Sequence, residues 1–125
     1  MRKQYHFMPS ERGLLAWDVH RLTELSQGLP RRRVALSQIG EIDEVYWFDG
    51  HDERPTCRKV LEHMKLIQEV DLSFPIILAA DGRVMDGMHR VARALSEGRE
   101  EIEAVRFEHT PDPDYVDCNP KDLPY

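Results

Sequence analysis

The fold of this chain is decided by the stretch GRVMDGMHRVARAL, residues 82–95. The apolar run at 75–80 ends in an Asp-Gly pair, a two-residue hairpin signal, so residues 84–86 are the predicted return strand. Gly87 then allows a sharp turn of the backbone, because it has no Cβ to clash. The stretch therefore predicts a short strand, a glycine corner and a helix in immediate succession.

The second half of the stretch predicts a helix that begins at Met88, because its apolar residues recur at i, i+3, i+4 and i+7. The predicted buried stripe comprises Met88, Val91, Ala92 and Leu95. His89 and Arg90 fall off this stripe in the first turn, where free backbone N–H groups favour anions. The corner consists of Asp86, Gly87, Met88, His89 and Arg90. It predicts a phosphate or carboxylate site, and a solvated structural corner is the alternative.

Composition favours one ordinary folded domain. The chain has 125 residues, of which 41% are hydrophobic and 32% charged, enough for a single core. No apolar run approaches the ~18 residues of a membrane helix, and no secretory signal is visible at the start. We therefore expect a cytoplasmic protein with no membrane contact. The net charge of −6 makes stand-alone DNA binding unfavourable.

The N-terminal third predicts an arm, a helix and a strand. Residues 1–9 form an irregular or short extended arm. Ser10 is the expected N-cap of a helix over residues 14–27, which stops at Gly28. Residues 34–39 have β-prone ends and partial alternation, so they are the first predicted strand.

The connectors of this region carry most of the early charged residues. Arg31-Arg32-Arg33 is predicted to be a solvated loop, and a phosphate or nucleic-acid patch is the alternative. Residues 40–44 form a carboxylate-rich corner, and the aromatic segment 45–48 forms a short strand or a 3₁₀ segment lining a pocket. Residues 49–53 lack the spacing of a calcium-binding loop, so a solvated turn is expected there, and coordination of a hard cation by their carboxylates is the alternative.

A second helix is predicted over residues 55–70, with Thr56, Arg58 and Lys59 at its start. These three side chains can contact either a ligand or water. The apolar stripe of this helix comprises Cys57, Val60, Leu61, Met64 and Ile67, so its cysteine is predicted to lie in the core. His63 is predicted to lie on the surface.

The C-terminal part predicts a last strand and an irregular tail. Gly98 is the expected C-cap of the third helix, and residues 102–108 alternate as a strand. The Pro-rich acidic tail, 109–125, should lie over the body and is a candidate surface for a protein partner. With an N-terminal arm and helix at 1–32 and a core at 33–108, the chain predicts one α+β domain, a small mixed sheet flanked by three helices.

The order of these elements resembles the ParB/sulfiredoxin superfamily over residues 33–108. The residues that carry the resemblance are Pro75-Ile76-Ile77-Leu78, Asp86-Gly87-Met88-His89-Arg90, Ala94, Gly98 and Ile102-Glu103-Ala104. In this superfamily the Gly-x-His-Arg corner binds nucleotide phosphates. The resemblance thus implies contacts from Gly87, the backbone of Met88, His89 and Arg90. The start of the second helix would add Thr56, Arg58 and Lys59.

The branches of the superfamily imply different activities. Sulfiredoxins have their catalytic cysteine where this chain has Met88, so that repair chemistry is not implied. ParB proteins add a helix-turn-helix DNA-binding domain, for which this chain is too short and too acidic. The corner is most similar to the free serine kinase branch, whose catalytic glutamate aligns near Asp43-Glu44, with Glu41 as a further candidate.

The kinase resemblance implies a phosphotransferase that uses ATP or ADP, with CTP as another option, together with Mg²⁺. Its acceptor would be a small hydroxyl compound, and Glu44 or Asp43 would take the hydroxyl proton. Asp86 would hold the metal or cap the helix. The alternative is a non-enzymatic ParB-like module that binds a nucleotide or a protein partner, and a nuclease is the third choice.

Overall fold

The computed structural model describes residues 3–48 and 54–125. The solvated turn expected at 49–53 therefore lies outside the described residues. Within these ranges the chain forms an α+β domain with three α-helices and two sheets, which confirms the predicted fold class. None of the described helices combines the length and apolarity needed to cross a lipid bilayer.

The strands are β1 (Tyr5–Ser10), β2 (Gly13–Asp18), β3 (Arg32–Ala35), β4 (Ile76–Leu78), β5 (Val84–Asp86) and β6 (Glu101–Arg106). The helices are α1 (Val19–Leu25), α2 (Cys57–Glu69) and α3 (Met88–Ser96). Short 3₁₀ turns cover Leu36–Gln38, Gly40–Asp43 and Pro120–Asp122.

The main sheet is mixed, with strand order β3-β6-β4-β5. β6 pairs antiparallel with β3 and parallel with β4, and β4 pairs antiparallel with β5. Side chains alternate between the two faces of a strand. Accordingly, Ile76 and Leu78 pack with Val91 of α3 on one face, whereas Ile77 packs with Trp17 on the other. α3 thus lies on one face of the sheet, and the β1–β2 hairpin lies on the other.

The helix predicted over residues 14–27 is wrong in its first half. Ser10 does not cap a helix: its Oγ donates to Gly13 O (2.7 Å) and accepts from Arg12 N (3.1 Å) in the tight turn between β1 and β2. The helix begins only at Val19, where Asp18 is the N-cap. The apolar residues of β2 fit a helical spacing, but they pair with β1 and with the C-terminal tail, which local periodicity cannot show.

The tail is irregular and lies over the body, as predicted. Trp17 Nε1 donates to Pro111 O (2.8 Å), and Ala16 N donates to Tyr115 O (3.0 Å). Asp114 accepts from Asp18 N at 2.8 Å, and Leu123 is buried. The tail therefore covers the outer edge of β2 and fixes the hairpin against the sheet.

The first strand of the sheet lies earlier than predicted. β3 ends at Ala35, and the second half of the predicted strand is a 3₁₀ turn. Arg32 and Arg33 are exposed but belong to β3 instead of a loop, whereas Arg31 lies just before it and donates to Ser73 O (2.9 Å) and Glu103 (3.3 Å). The pairing with β6 decides these bounds, because it extends over only four residues.

The helices predicted at 55–70 and from Met88 are confirmed, and Gly98 (φ +74°) follows the last turn of α3 as predicted. Their predicted stripes are only partly buried. In α3 the buried residues are Met88, Val91 and Ala94, while Leu95 is 49% exposed. None of the described α2 residues is fully buried, and Cys57 is exposed. The predicted core position of this cysteine is wrong because α2 packs beside α3 and stays off the sheet.

We predict that the tail contributes to global stability. Leu123→Ala should lower the free energy of unfolding by about 2–3 kcal/mol, because it removes a buried side chain and leaves a cavity. Leu25→Ala is the matched control at a residue that is 46% exposed, and should change it by no more than about 0.5 kcal/mol. Urea unfolding measures both values. Equal losses in the two variants would contradict this role of the tail.

Candidate functional site

The glycine corner joins β5 to α3 in a geometry that only glycine fits. Gly87 has φ +107°, in the left-handed region. A Cβ at this position would lie 2.7 Å from Ile76 Cγ2. No side chain among the described residues caps α3, so the N–H groups of its first turn point out of the corner without a capping oxygen. The corner therefore combines close backbone approach with the positive end of a nine-residue helix.

Arg90 folds back over this corner. Its Nη2 lies 2.9 Å from Asp86 Oδ2, an ion pair between residues four apart. Its Nε is sealed from solvent and has no hydrogen-bond partner among the described residues. The guanidinium thus lies beside Gly87 with one N–H group unused, and its charge is balanced by Asp86.

His89 forms a pair with His63, a residue that the sequence pattern places on the surface. Nε2 of His89 lies 2.8 Å from Nδ1 of His63, and the two ring planes differ by only 19°. Trp47 stacks on both imidazoles, with centroids 4.6 Å away in each case. The surface prediction for His63 is wrong, because the residue faces α3 and is half-buried.

His89 is neutral at physiological pH. Burial, and secondarily the neighbouring His63, lower the pKa of His89 from 6.5 to about 4. One ring nitrogen must donate and the other must accept in the hydrogen bond between them. The pair can therefore hold at most one extra proton without breaking this bond.

α2 extends past the corner. His63 contacts His89, and Arg93 Nη1 donates to Gln68 O at 2.5 Å, so α2 and α3 run side by side in the same direction. The first turn of α2 then lies beyond the start of α3. Lys59 lies on the same helix face as His63, one turn nearer that end, so the structure brings it to the end of the molecule that carries the corner.

The other two residues predicted at the start of α2 occupy the same turn. Thr56 is the N-cap of α2, and its Oγ1 accepts from Lys59 N at 3.2 Å. Its hydroxyl is therefore already used in capping. Arg58 is exposed.

The two carboxylates predicted as catalytic bases, Glu44 and Asp43, have different surroundings. Glu44 forms a two-point ion pair with Arg83, with distances of 2.6 and 2.9 Å. This hydrogen bond lowers the pKa of Glu44, and a lower pKa weakens a general base. Asp43 instead lines a groove of about 640 Å³ beside Leu36 and Arg99.

Glu41 is the buried carboxylate of this region. It is 2% exposed, and its Oε2 accepts a hydrogen bond from Val84 N at 2.5 Å. It lines an apolar cavity of about 220 Å³ together with Trp47 and Met88. The aromatic segment 45–48 thus lines a pocket, as predicted, although it is irregular and forms neither a strand nor a 3₁₀ helix.

Sequence reasoning named none of Trp47, His63 and Arg83 as a site residue, although it placed Trp47 in a pocket-lining segment and His63 in α2. Their role depends on contacts between distant segments. Across residues 3–48 and 54–125, no three His, Cys, Asp or Glu side chains converge as a metal site. The expected Mg²⁺ therefore stays a prediction. Comparison with family models, curated proteins and solved structures finds no match to this chain.

We predict that Gly87→Ala lowers the free energy of unfolding by about 2–4 kcal/mol, because it adds a clash with Ile76 to a left-handed backbone. Gly28→Ala is the matched control, since Gly28 has φ +84° but a Cβ there would meet no atom within 4 Å. It should cost only about 1 kcal/mol. Chemical denaturation separates the two. Similar losses would show that close packing at the corner is not the constraint.

We also predict that stability falls as the pH drops from 6.5 towards 4. His89 stays neutral in the folded state over this range, as does His6, whose pKa is lowered to about 4 by burial and by Arg83. The unfolded chain binds these protons from about pH 6.5 downward, so protonation favours unfolding. Urea midpoints at pH 7.5 and pH 5 measure the effect.

The variant His89→Gln tests the assignment of this pH dependence. It removes one of the two titrating groups, so its urea midpoint should change less between the two pH values than that of the parent. An identical pH dependence would assign the effect to other groups.

Proposed function

We propose that this chain binds a phosphate-bearing small molecule, most simply a nucleotide, at the Gly87 corner. One observation carries the proposal: the uncapped N-terminus of α3 starts at a glycine that has no room for a side chain. Such a terminus presents backbone N–H groups and a partial positive charge to an anion. The ParB/sulfiredoxin-like resemblance supports the same corner and suggests ATP, ADP or CTP, with Mg²⁺.

The side chains around the corner supply positive charge in two ways. Arg90 is held in an ion pair with Asp86, so a phosphate that enters the corner can compete with this carboxylate for the guanidinium. Lys59, in the first turn of α2, lies at the end of the molecule that carries the corner. A bound anion also favours the protonated form of His89, so binding should raise the pKa of this imidazole from its lowered value of about 4.

The observed carboxylates favour binding over phosphoryl transfer. Glu44 is held by Arg83, and its lowered pKa makes it a poor acceptor for a hydroxyl proton. The non-enzymatic alternative, a nucleotide-binding module, is thus better supported than a kinase acting on a small hydroxyl compound. Cytoplasmic residence, poor DNA binding and a protein partner at the tail stay predictions from the sequence.

Thermal denaturation with ATP, ADP, CTP and pyrophosphate, each with and without Mg²⁺, tests the proposal. A ligand at about a hundred times its dissociation constant stabilises the folded state by ~2.7 kcal/mol, which gives a measurable rise in Tm. We expect at least one of these phosphates to produce it. No rise with any of them would contradict phosphate binding.

Two arginine variants locate the site. Arg90→Gln should abolish most of the rise in Tm, because it removes the guanidinium beside the corner. Arg93→Gln is the matched control: this arginine lies on the same helix, is also in an ion pair with a carboxylate, and contacts α2 carbonyls away from the corner. It should retain the ligand effect even if its own Tm is lower. Equal loss in both variants would place the ligand elsewhere.

A further inference from the structure

The cavity of about 220 Å³ lies between the segment 41–48 and the outer face of α3. Most of its walls are aliphatic or aromatic, from Val45, Trp47, Phe48, Met88, Ala92 and Leu95, and Glu44 also lines it. A site for a drug-sized ligand is usually larger, about 300–1,000 Å³. The cavity therefore suits a small apolar body and is too small for a nucleotide.

One buried carboxylate opens into this apolar space. All contacts of Glu41 with Val84 and Arg83 use its Oε2, and Oε1 makes no hydrogen bond to any described residue. Among those residues, Arg90 Nε is the one side-chain nitrogen or oxygen that is sealed without a partner. Oε1 of Glu41 therefore keeps some exposure, and Glu41 is one of the residues that line the cavity.

The charges around Glu41 do not balance. Among the described residues, Arg83 is the one cation in contact with it, at 3.7 Å from Oε2, and the same guanidinium forms a two-point ion pair with Glu44. Two carboxylates thus share one positive charge, which leaves a net charge of about −1 beside a low-dielectric space. A buried charge of this kind needs a partner.

The neighbouring tyrosine adds a neutral polar group. Burial, and secondarily Glu41, raise the pKa of Tyr46 to about 12, so its hydroxyl stays protonated. This hydroxyl also makes no hydrogen bond to a described residue. It is therefore available to a ligand that lies in the cavity.

We infer that the cavity binds a small organic ammonium ion, with the ammonium group donating to Glu41 Oε1 and an apolar body packed against the aromatic walls. Trp47 and Tyr46 line the cavity, and aromatic rings attract a cation through their quadrupoles. A hard metal ion fits poorly, because it needs six or more oxygen ligands and most of the walls are hydrocarbon. A carboxylate ligand is disfavoured by the uncompensated charge.

This site is separate from the phosphate corner. The two adjoin at Met88, which lines the cavity and begins α3, and at Trp47, which lines the cavity and stacks on His89. The inference does not depend on nucleotide binding. Pyrophosphate should still raise Tm in a variant that no longer binds the amine. The two proposals therefore succeed or fail independently.

Titration with phenethylamine, followed by NMR of the two tryptophan indole N–H groups, tests the inference. The indole signal of Trp47 should shift saturably, while that of Trp17, in the opposite core, provides the internal control. Phenethyl alcohol has the same shape without the charge, and should bind about ten- to hundredfold more weakly, because its hydroxyl can donate to Glu41 but carries no positive charge to offset the carboxylate. Equal affinities, or no saturable shift of Trp47 by the amine, would overturn the inference.

Three variants complete the test. Glu41→Gln keeps the size and an acceptor for Val84 N, and should weaken amine binding about ten- to hundredfold. Ala92→Leu fills the cavity from α3 with Glu41 unchanged, so it should abolish binding even if the first variant does not fold. Glu100→Gln removes the same charge at the neighbouring groove, and should keep the affinity within about twofold. Unchanged binding in a folded Glu41→Gln variant or in Ala92→Leu would overturn the site.

Discussion

The close contact between Gly87 and Ile76 is the constraint on which the rest of the structure depends. It allows α3 to start directly against β4, so that Val91 reaches the wholly buried layer formed with Ile76 and Val84. A side chain at position 87 would push the start of α3 away from the sheet. The direction of α3 then fixes where α2 packs, and with it the histidine pair and the open helix terminus.

Charge is distributed unevenly around this unit. At the corner, Arg90 and Asp86 neutralise each other, and the open N–H groups of α3 leave a partial positive field. On the other side of Met88, Arg83 is shared between Glu41 and Glu44, which leaves an excess of negative charge. One short helix thus separates a surface suited to anions from a cavity suited to cations, and this separation is the physical basis of both proposals.

Much of the fold could be predicted from local patterns. The Asp-Gly hairpin, the glycine corner, α2, α3 and β6 all follow from turn residues and periodicity within about fifteen residues of chain, and the structure has them within a few residues of the predicted bounds. The N-terminal region was mispredicted because its structure depends on contacts with distant parts of the chain. Leu15 and Trp17 are compatible with a helix as well as a strand, and the choice is made by pairing with β1 and with Tyr115, about a hundred residues away.

The candidate site also combines local features, which the sequence predicts, with contacts between distant segments, which it does not. The sequence by itself determined the corner from Asp86 to Arg90, because a glycine with a left-handed backbone and a helix start are local features. Only the tertiary structure decided that His63 pairs with His89 under Trp47, that Arg83 holds Glu44, and that Glu41 opens into a cavity. Each of these contacts joins different segments of the chain, and their energies depend on burial and mutual orientation, which no local pattern specifies.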